Sequence, residues 1–549
     1  MKIKKSNFIN GAIIGTVSLV ICKILGLIYV IPFYKIIGTQ GGALYSYAYS
    51  IYAIFLNLST VGIPSAISKI ISEYDTLDYQ NSKRRAFKIA SKMLNYMGII
   101  SFVIMFVFAN VIAEMIIGGV DGANSVESVA TAIRAVSTAL LVVPRLSIIK
   151  GYFMGNKYIT QPSTTAVIEQ FVRVVIIIAG SYITVRIFNL PVEIAVYVAT
   201  FSATVGAFSA FVYLKVRSKA IKEDNNEIAM KEEEKYLTTK VLIKKIIIYA
   251  VPFIIMSMLQ SAYRVIDTFT VVRTLSSLGF DAATAEGIFG VLNTWATKIN
   301  MIVISLSIGI TGSLIPNVVG SFTKKDYKDV NEKLNQSFKM LLLLTIPMAF
   351  GLSFLADQVW HLFYGVDALN SSIYKIHVLS VIGYGLFTTA TTITQSMNQT
   401  KITIGSLIAS FVIKAILNVP LMYLFGTLNI PAYYAPILAD VISQTAALLG
   451  ILYVLKKKFG FEYKSIVVYL GKVIVSLFVM LLVLTLLKQI YFSNTTIFTA
   501  LITVIIFTIV GAIVYFFCAK KFKLIEELLG KDYFEKIKSK LKFRKRQKS

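Results

Sequence analysis

Histidine, cysteine and tryptophan are scarce in this chain of 549 residues, which has two of each. Cys22 and Cys518 lie far apart inside apolar runs, so they form neither a disulfide framework nor a metal-binding spacing. His361 and His377 are too few and too scattered for a metal centre or a catalytic triad. We therefore expect no metal and no bound cofactor.

Acidic residues are also few, because 28 Asp and Glu stand against 55 Lys and Arg. The predicted outer loops carry only scattered carboxylates, Asp121, Glu127, Asp281 and Asp367, without a pattern for general acid–base catalysis. The chain also lacks a glycine-rich loop followed by lysine that could bind a nucleoside triphosphate. These absences argue against an enzyme. Energy for any transport would come from a coupling ion or the membrane potential.

Apolar residues are abundant, at 56% of the chain with a mean hydropathy of +0.72. A soluble protein of this size could not bury so much apolar surface, so we predict an integral membrane protein. Apolar runs of helical length favour helices over a barrel. We predict an all-α polytopic fold with about fourteen transmembrane spans, each near the roughly 20 residues that a bilayer requires. The predicted spans are 8–33, 45–71, 89–117, 129–150, 163–187, 192–214, 246–272, 284–314, 337–363, 374–397, 402–424, 432–455, 465–488 and 497–519.

The basic residues concentrate on one side of these spans. They cluster in residues 2–5, 83–88, 215–245, 324–328 and 456–458, whereas opposite loops such as 118–128 hold almost none. This asymmetry puts both termini in the cytoplasm. It also accounts for the net charge of +27 without a nucleic-acid partner. The basic tail is expected either to lie on anionic lipid headgroups or to be solvated.

Two stretches about 240 residues apart resemble each other. Overlaying Lys23 on Arg264 places Gly38 on Gly279, and Arg173 then stands where Lys414 stands. The copies are six spans apart, an even number, so both halves have the same orientation. Such a parallel repeat predicts a site at the interface of the halves. The predicted parts are an N-lobe (1–214), a cytoplasmic linker (215–245), a C-lobe (246–455), two extra helices (456–519) and a basic tail (520–549).

Cations inside the predicted spans are costly, by roughly 3 kcal/mol each on insertion scales. Each is therefore expected to line a cavity, to form a buried structural pair, or to extend its long side chain to the membrane interface. We favour the cavity-lining role for Lys23 and Lys298. An excess of cations in a water-filled cavity selects anions, such as the diphosphate of a lipid carrier. A drug exporter for cationic compounds would need the opposite charge. The candidate cavity cations are Lys23, Arg134, Arg264, Lys298 and Lys414.

Carboxylates inside the spans are fewer. Helical spacing allows Glu169 to pair with Arg173, and Arg264 to pair with Asp267. We interpret Glu169, Arg173, Asp267 and Asp440 as structural or coupling charges.

Glycine and proline interrupt two predicted spans. Gly62 and Pro64 lie in the second span, and Gly309 and Pro316 lie in the eighth. These residues are predicted either to bend helices that gate a cavity or to form ordinary membrane kinks.

Three short elements carry a resemblance to a known family. Residues 22–27 read CKILGL, residues 150–155 read KGYFMG, and residues 168–174 read IEQFVRV. They resemble the S-R-[IVL]-L-G, R-G-[YF]-[FY]-Q-G and E-Q-x-x-R-V elements of one flippase family. That family includes MurJ, stage V sporulation protein B and polysaccharide-export flippases, within the MATE-like superfamily.

The resemblance implies two pseudo-symmetric six-helix lobes around a central cavity, plus two C-terminal helices, with alternating access. It implies outward flipping of an undecaprenyl-diphosphate-linked sugar, lipid II above all, with the cell-wall synthesis machinery as a further partner. A flippase for another lipid-linked oligosaccharide is the alternative, followed by a MATE-type drug exporter. Cavity arginines of the family lie on spans 1, 2 and 8. Lys23 and Lys298 match the first and third, and the run 56–59 has no basic residue to match the second.

Overall fold

The computed structural model describes residues 8–119, 122–218, 234, 236–492 and 494–529. Within this part, helices are the only regular secondary structure, which confirms the predicted all-α fold. Most of the predicted linker and the tail beyond residue 529 lie outside the described residues. The helices are α1 (Phe8–Ile28), α2 (Val30–Thr60), α3 (Gly62–Thr76), α4 (Gln80–Val107), α5 (Ala109–Ile117), α6 (Val126–Ser137), α7 (Val143–Gly155), α8 (Thr160–Val175), α9 (Val192–Ser218), α10 (Thr239–Ser277), α11 (Ala282–Gly290), α12 (Ala296–Thr323), α13 (Tyr327–Phe354), α14 (Ala356–Tyr364), α15 (Ala368–His377), α16 (Ser380–Ser396), α17 (Thr400–Thr427), α18 (Ala435–Phe459), α19 (Lys464–Ile490), α20 (Ile497–Lys521) and α21 (Leu524–Leu529).

Thirteen helical segments of the described chain are long and apolar enough to cross a membrane. Several of them join two neighbouring helices, as α2 and α3 do in Val30–Thr76. The first predicted span corresponds to α1, in which the apolar helix Val17–Ile28 falls below the same length. The structure therefore supports a polytopic membrane fold with thirteen such segments, and it does not confirm the fourteenth.

The chain turns at Gly38, which interrupts α2 with φ 66° and ψ −165°. Residues with a side chain rarely adopt these backbone angles, because their Cβ atom would clash with the backbone. Glycine, which has no Cβ atom, is therefore needed here. Gly279, the residue that the repeat places opposite Gly38, also has a positive φ of 90° and follows the end of α10. The first and seventh predicted spans therefore end in related ways.

A second pair of turns supports the repeat. Lys157 follows α7 with φ 65°, and Asn398 follows α16 with φ 54°. The two residues are separated by the same number of positions as Gly38 and Gly279. In both turns the next N–H reaches back five residues, from Tyr158 to Phe153 O and from Gln399 to Thr394 O, each at 2.9 Å. The two halves thus share local backbone structure as well as sequence.

The helices pack in two compact units. The first comprises the residues up to Ile299 together with Phe411–Pro436, and the second comprises Asn300–Ser410 and the residues from Ile437 onward. The division reflects packing, whereas the predicted lobe boundaries reflect sequence repetition, so those boundaries stay a prediction. In the first unit, α3, α4, α7 and α10 share a buried apolar core that includes Ile67, Leu94, Ile148 and Ile246. In the second, Val303, Ala349 and Val381 form a smaller cluster.

Candidate functional site

Three of the predicted cavity cations come together in the first unit. Lys23 on α1 and Lys298 on α12 are partly exposed, and Arg264 on α10 is exposed. Lys23 lies close enough to both other cations for their positive charges to act on it. Lys298 Nζ also lies 5.3 Å from the ring centroid of Tyr29. None of the three forms an ion pair with a carboxylate of the described chain. We call Lys23, Arg264 and Lys298 the cation group.

A π-helical turn, Val291–Trp295, directly precedes the segment of α12 that carries Lys298. Such turns are rare within α-helices and occur often at functional sites. This turn packs directly against Gly42 of α2, where a Cβ atom would overlap the Trp295 indole. The position of Lys298 is therefore tied to close packing between α2 and this part of the chain.

Arg173 on α8 adds a fourth cation close to the group, since it lies within electrostatic range of Lys298. Its Nη2 donates a hydrogen bond to Tyr45 Oη at 3.1 Å, and its guanidinium carbon lies 5.0 Å from the Tyr49 ring centroid. The predicted pair with Glu169 is wrong. Glu169 instead accepts a hydrogen bond at 2.9 Å from Lys150 Nζ, because α7 brings that lysine alongside α8.

A cavity of about 260 Å³ lies between α2, α7, α8 and α9 of the same unit. Its wall includes Arg173 and Glu169, together with two tyrosines of α2. The complete lining is Tyr49, Tyr52, Ala53, Leu56, Val143, Glu169, Arg173 and Ala203. Sequence reasoning missed the tyrosines. Their spacing in YSYAYSIY, which puts Tyr45, Tyr49 and Tyr52 on one helical face, was the available signal.

Lys414 differs from the cation group. Its side chain is 1% exposed, and its Nζ lies 2.7 Å from Asp267 Oδ2. Asn418 Nδ2 donates to Asp267 Oδ1 at 3.2 Å and to Thr270 Oγ1 at 2.7 Å. The predicted Arg264–Asp267 pair is therefore wrong, because a buried lysine requires a counter-charge more than an exposed arginine does. In this structure Lys414 is a buried and neutralised cation rather than a cavity-lining one.

Arg134 and Asp440 are the remaining predicted charges of the spans. Arg134, in the last turn of α6, donates through Nη2 to Asn110 Oδ1 at 3.2 Å and through Nε to Phe106 O at 3.4 Å. Arg134 thus donates hydrogen bonds to both sides of the break between α4 and α5, to Phe106 of α4 and to Asn110 of α5. Asp440 lies on α18 in the second unit. Their assigned roles stay predictions.

The predicted gating residues differ between the two spans. α2 and α3 are separate helices that meet at Val61, and Gly62 begins α3 with Pro64 in its first turn. A Cβ atom at Gly62 would overlap Ile254 and Ala250 O, so glycine lets α3 approach α10 closely. α12, in contrast, continues as one helix through Gly309 and Pro316. Gating stays a prediction for both spans.

A buried carboxylate that the sequence did not indicate lies in the middle of α11. Glu286 is 1% exposed and accepts hydrogen bonds from Asn124 N at 3.1 Å and Asn124 Nδ2 at 2.9 Å. The loop before α6, which contains Asn124, is thereby hydrogen-bonded to α11. The contact joins residues far apart in the chain, so no local pattern could predict it.

Two family models match the chain. The model described as "Polysaccharide biosynthesis protein" matches residues 8–322, and that described as "Lipid II flippase MurJ" matches residues 268–491. Lipid II flippase MurJ of Bacillus subtilis (strain 168) is 30% identical over 538 residues, covering 96% of this chain and 97% of that protein. The chain belongs to the MurJ lipid II flippase family. Stage V sporulation protein B of the same organism is 22% identical over 368 residues, covering 66% of this chain and 67% of that protein.

Solved structures agree with the family in fold. A MurJ lipid II flippase in an inward closed conformation superposes with a TM-score of 0.66 at 17% identity, covering 93% of this chain and 99% of that one. An inward-facing multidrug transporter of the MATE family superposes with a TM-score of 0.63 at 12% identity, covering 81% and 99%. The predicted MATE-like fold is confirmed. MurJ family members are flippases of the bacterial plasma membrane rather than enzymes, and they serve peptidoglycan biosynthesis.

Proposed function

We propose that this protein moves lipid II, a sugar carried on undecaprenyl diphosphate, from the inner to the outer leaflet by alternating access. The observation that carries the proposal is the cation group, in which Lys23, Arg264 and Lys298 lie together and pair with no carboxylate among the described residues. A diphosphate offers several anionic oxygens at once. Lysine and arginine donate strong charge-assisted hydrogen bonds to such oxygens.

The charge of the group favours an anion for a second reason. Like charges inside an apolar span repel each other and are costly to hold there, so a bound diphosphate would relieve a cost that the free protein carries. A cationic drug would increase that cost. The MurJ relative in B. subtilis is a lipid II flippase, and this similarity supports the choice of substrate. We propose that a coupling ion or the membrane potential supplies the energy.

Vesicles that contain the purified protein and fluorescent lipid II test this proposal. The protein should speed exchange of the lipid between leaflets, measured as the fraction that an impermeant reductant can bleach. The match to polysaccharide biosynthesis proteins over residues 8–322 supports one second candidate, another lipid-linked oligosaccharide. Exchange of that lipid alone would select the second candidate, and exchange of neither would contradict both.

Orientation sets the direction of transport and can be tested separately. The positive-inside pattern puts residue 218 in the cytoplasm and residue 125, beside α6, outside. In a background with Cys22→Ser and Cys518→Ser, Ser125→Cys should react with an impermeant thiol reagent in intact cells. Ser218→Cys should react only after the cells are opened. The reverse pattern would overturn the inward-to-outward direction.

A further inference from the structure

The cavity beside Arg173 differs in chemistry from the cation group. Its wall carries one carboxylate and one guanidinium, and Lys150 pairs with the carboxylate from the neighbouring helix. Aromatic rings form a second part of the wall, because the rings of Tyr49 and Tyr52 meet edge to face with centroids 5.7 Å apart. The cavity is therefore a mixed polar and aromatic chamber rather than a purely cationic one.

This combination fits a sugar ring better than a phosphate. Glu169 would repel a phosphate, yet its oxygens can accept hydrogen bonds from hydroxyl groups, while Arg173 can donate to them. The flat faces of tyrosine rings can pack against the apolar C–H face of a sugar. Small side chains, Ala53 and Ala203, leave the space open.

The volume agrees with one sugar ring. About 260 Å³ lies just below the roughly 300–1,000 Å³ of pockets for larger small molecules. It is also far more than the roughly 30 Å³ that one water molecule occupies in the liquid. A whole saccharide chain with attached groups would not fit, whereas a single ring would.

The cavity and the cation group are neighbours. Arg173 lines the cavity and lies within electrostatic range of Lys298. Tyr45 accepts a hydrogen bond from Arg173 and also lies within electrostatic range of Lys298. A sugar joined directly to a diphosphate needs such an arrangement, with the two subsites side by side.

We propose that this cavity is the subsite for the sugar residue attached directly to the diphosphate of the lipid-linked substrate. The proposal rests on the proposed function, because it assumes that the cation group holds the diphosphate. It assigns Tyr52, Glu169 and Arg173 to sugar recognition and leaves Lys23 and Lys298 to the diphosphate.

Binding of two probes to the full-length protein in nanodiscs separates the two roles. The probes are lipid II, which has the sugar, and undecaprenyl diphosphate, which lacks it. Ala203→Leu, which fills the cavity without changing charge, should weaken lipid II binding about tenfold, as loss of a good hydrogen-bonding contact would. Glu169→Gln should act in the same direction. Undecaprenyl diphosphate should bind both variants as it binds the unchanged protein, which also shows that they are folded.

The matched control is Tyr182→Phe, since Tyr182 is 53% exposed and lies outside the cavity. It should leave both affinities unchanged. Equal affinities of the unchanged protein and of Ala203→Leu for lipid II would overturn the sugar subsite. An equal loss of affinity for both probes in Ala203→Leu would overturn the sugar subsite as well. Failure of the unchanged protein to bind undecaprenyl diphosphate would instead contradict the proposed function, so the two failures are distinguishable.

Discussion

Arg173 and Lys414 occupy corresponding positions in the two halves of the chain, but their surroundings differ. Arg173 is partly exposed on a cavity wall, and its contacts are the tyrosines Tyr45 and Tyr49. Lys414 is buried, and its ammonium group pairs with Asp267 at 2.7 Å. One cation is therefore available to a ligand, and the other is neutralised by the protein.

The difference comes from a single position on the first helix of each half, which is α1 in the first half and α10 in the second. In the second half that position is Asp267, and in the first half the corresponding residue is Gly26. A Cβ atom at Gly26 would lie 3.6 Å from Gln170 Nε2, an ordinary contact, so space does not exclude a side chain there. Whether an intramembrane cation is structural or open to a ligand is thus decided by whether the facing helix carries an acid.

The largest effect is expected from breaking the neutralised pair. Asp267→Asn leaves Lys414 buried without a counter-charge, which costs about 3–5 kcal/mol for a buried pair. Glu169→Gln breaks the Lys150 pair, whose side chains are 25% and 30% exposed, and should cost about 1 kcal/mol or less. Thermal unfolding in detergent measures both.

A second change checks that the charge is the cause. Adding Lys414→Met to Asp267→Asn removes the unpaired cation and should restore much of the lost stability. Equal losses in Asp267→Asn and Glu169→Gln, or no recovery in the double variant, would show that burial does not distinguish the two halves.

The next effect is expected from giving the first half the acid that it lacks. Gly26→Asp should partly neutralise Arg173 and lower the affinity for lipid II about tenfold, the effect of about one charge-assisted hydrogen bond. Gly26→Asn has nearly the same size without the charge and should change the affinity little. Equal behaviour of the two variants would mean that size rather than charge matters there.

The smallest effect is expected from exchanging one cation for another. Lys23→Arg and Lys298→Arg keep the positive charge and should change flipping in vesicles by about threefold or less, because the electrostatic attraction to phosphate is retained. A loss as large as that of the corresponding glutamine variants would indicate that the ammonium shape, rather than the charge, is recognised.

The sequence predicted the parts of the fold that depend on local pattern. Apolar runs located the helices, and the repeat correctly paired Gly38 with Gly279 at turns of positive φ. Spacing along one helix failed for the ion pairs, because Asp267 and Glu169 each found a lysine on another helix. Such tertiary partners depend on how helices pack, which one sequence does not show.

The candidate site was likewise predictable only where a residue stands out by itself in the sequence. Lys23 and Lys298 stood out because a cation inside an apolar span has a high cost wherever the helix lies. Tyr49 and Tyr52 did not stand out, because aromatic residues in a membrane span are ordinary until a cavity is seen beside them. Their helical spacing was visible, but its meaning required the structure.

The most direct test of the account is flipping of lipid II by Lys23→Gln and Lys298→Gln, each compared with the unchanged protein at equal abundance. Each change removes a charge that we assign to the diphosphate, a contact of roughly 1.5–3 kcal/mol. Either variant should therefore bind the lipid about tenfold more weakly or worse, and should flip it correspondingly more slowly at low lipid concentration. Normal accumulation with full flipping in both variants would contradict the claim that the unpaired cations carry the substrate.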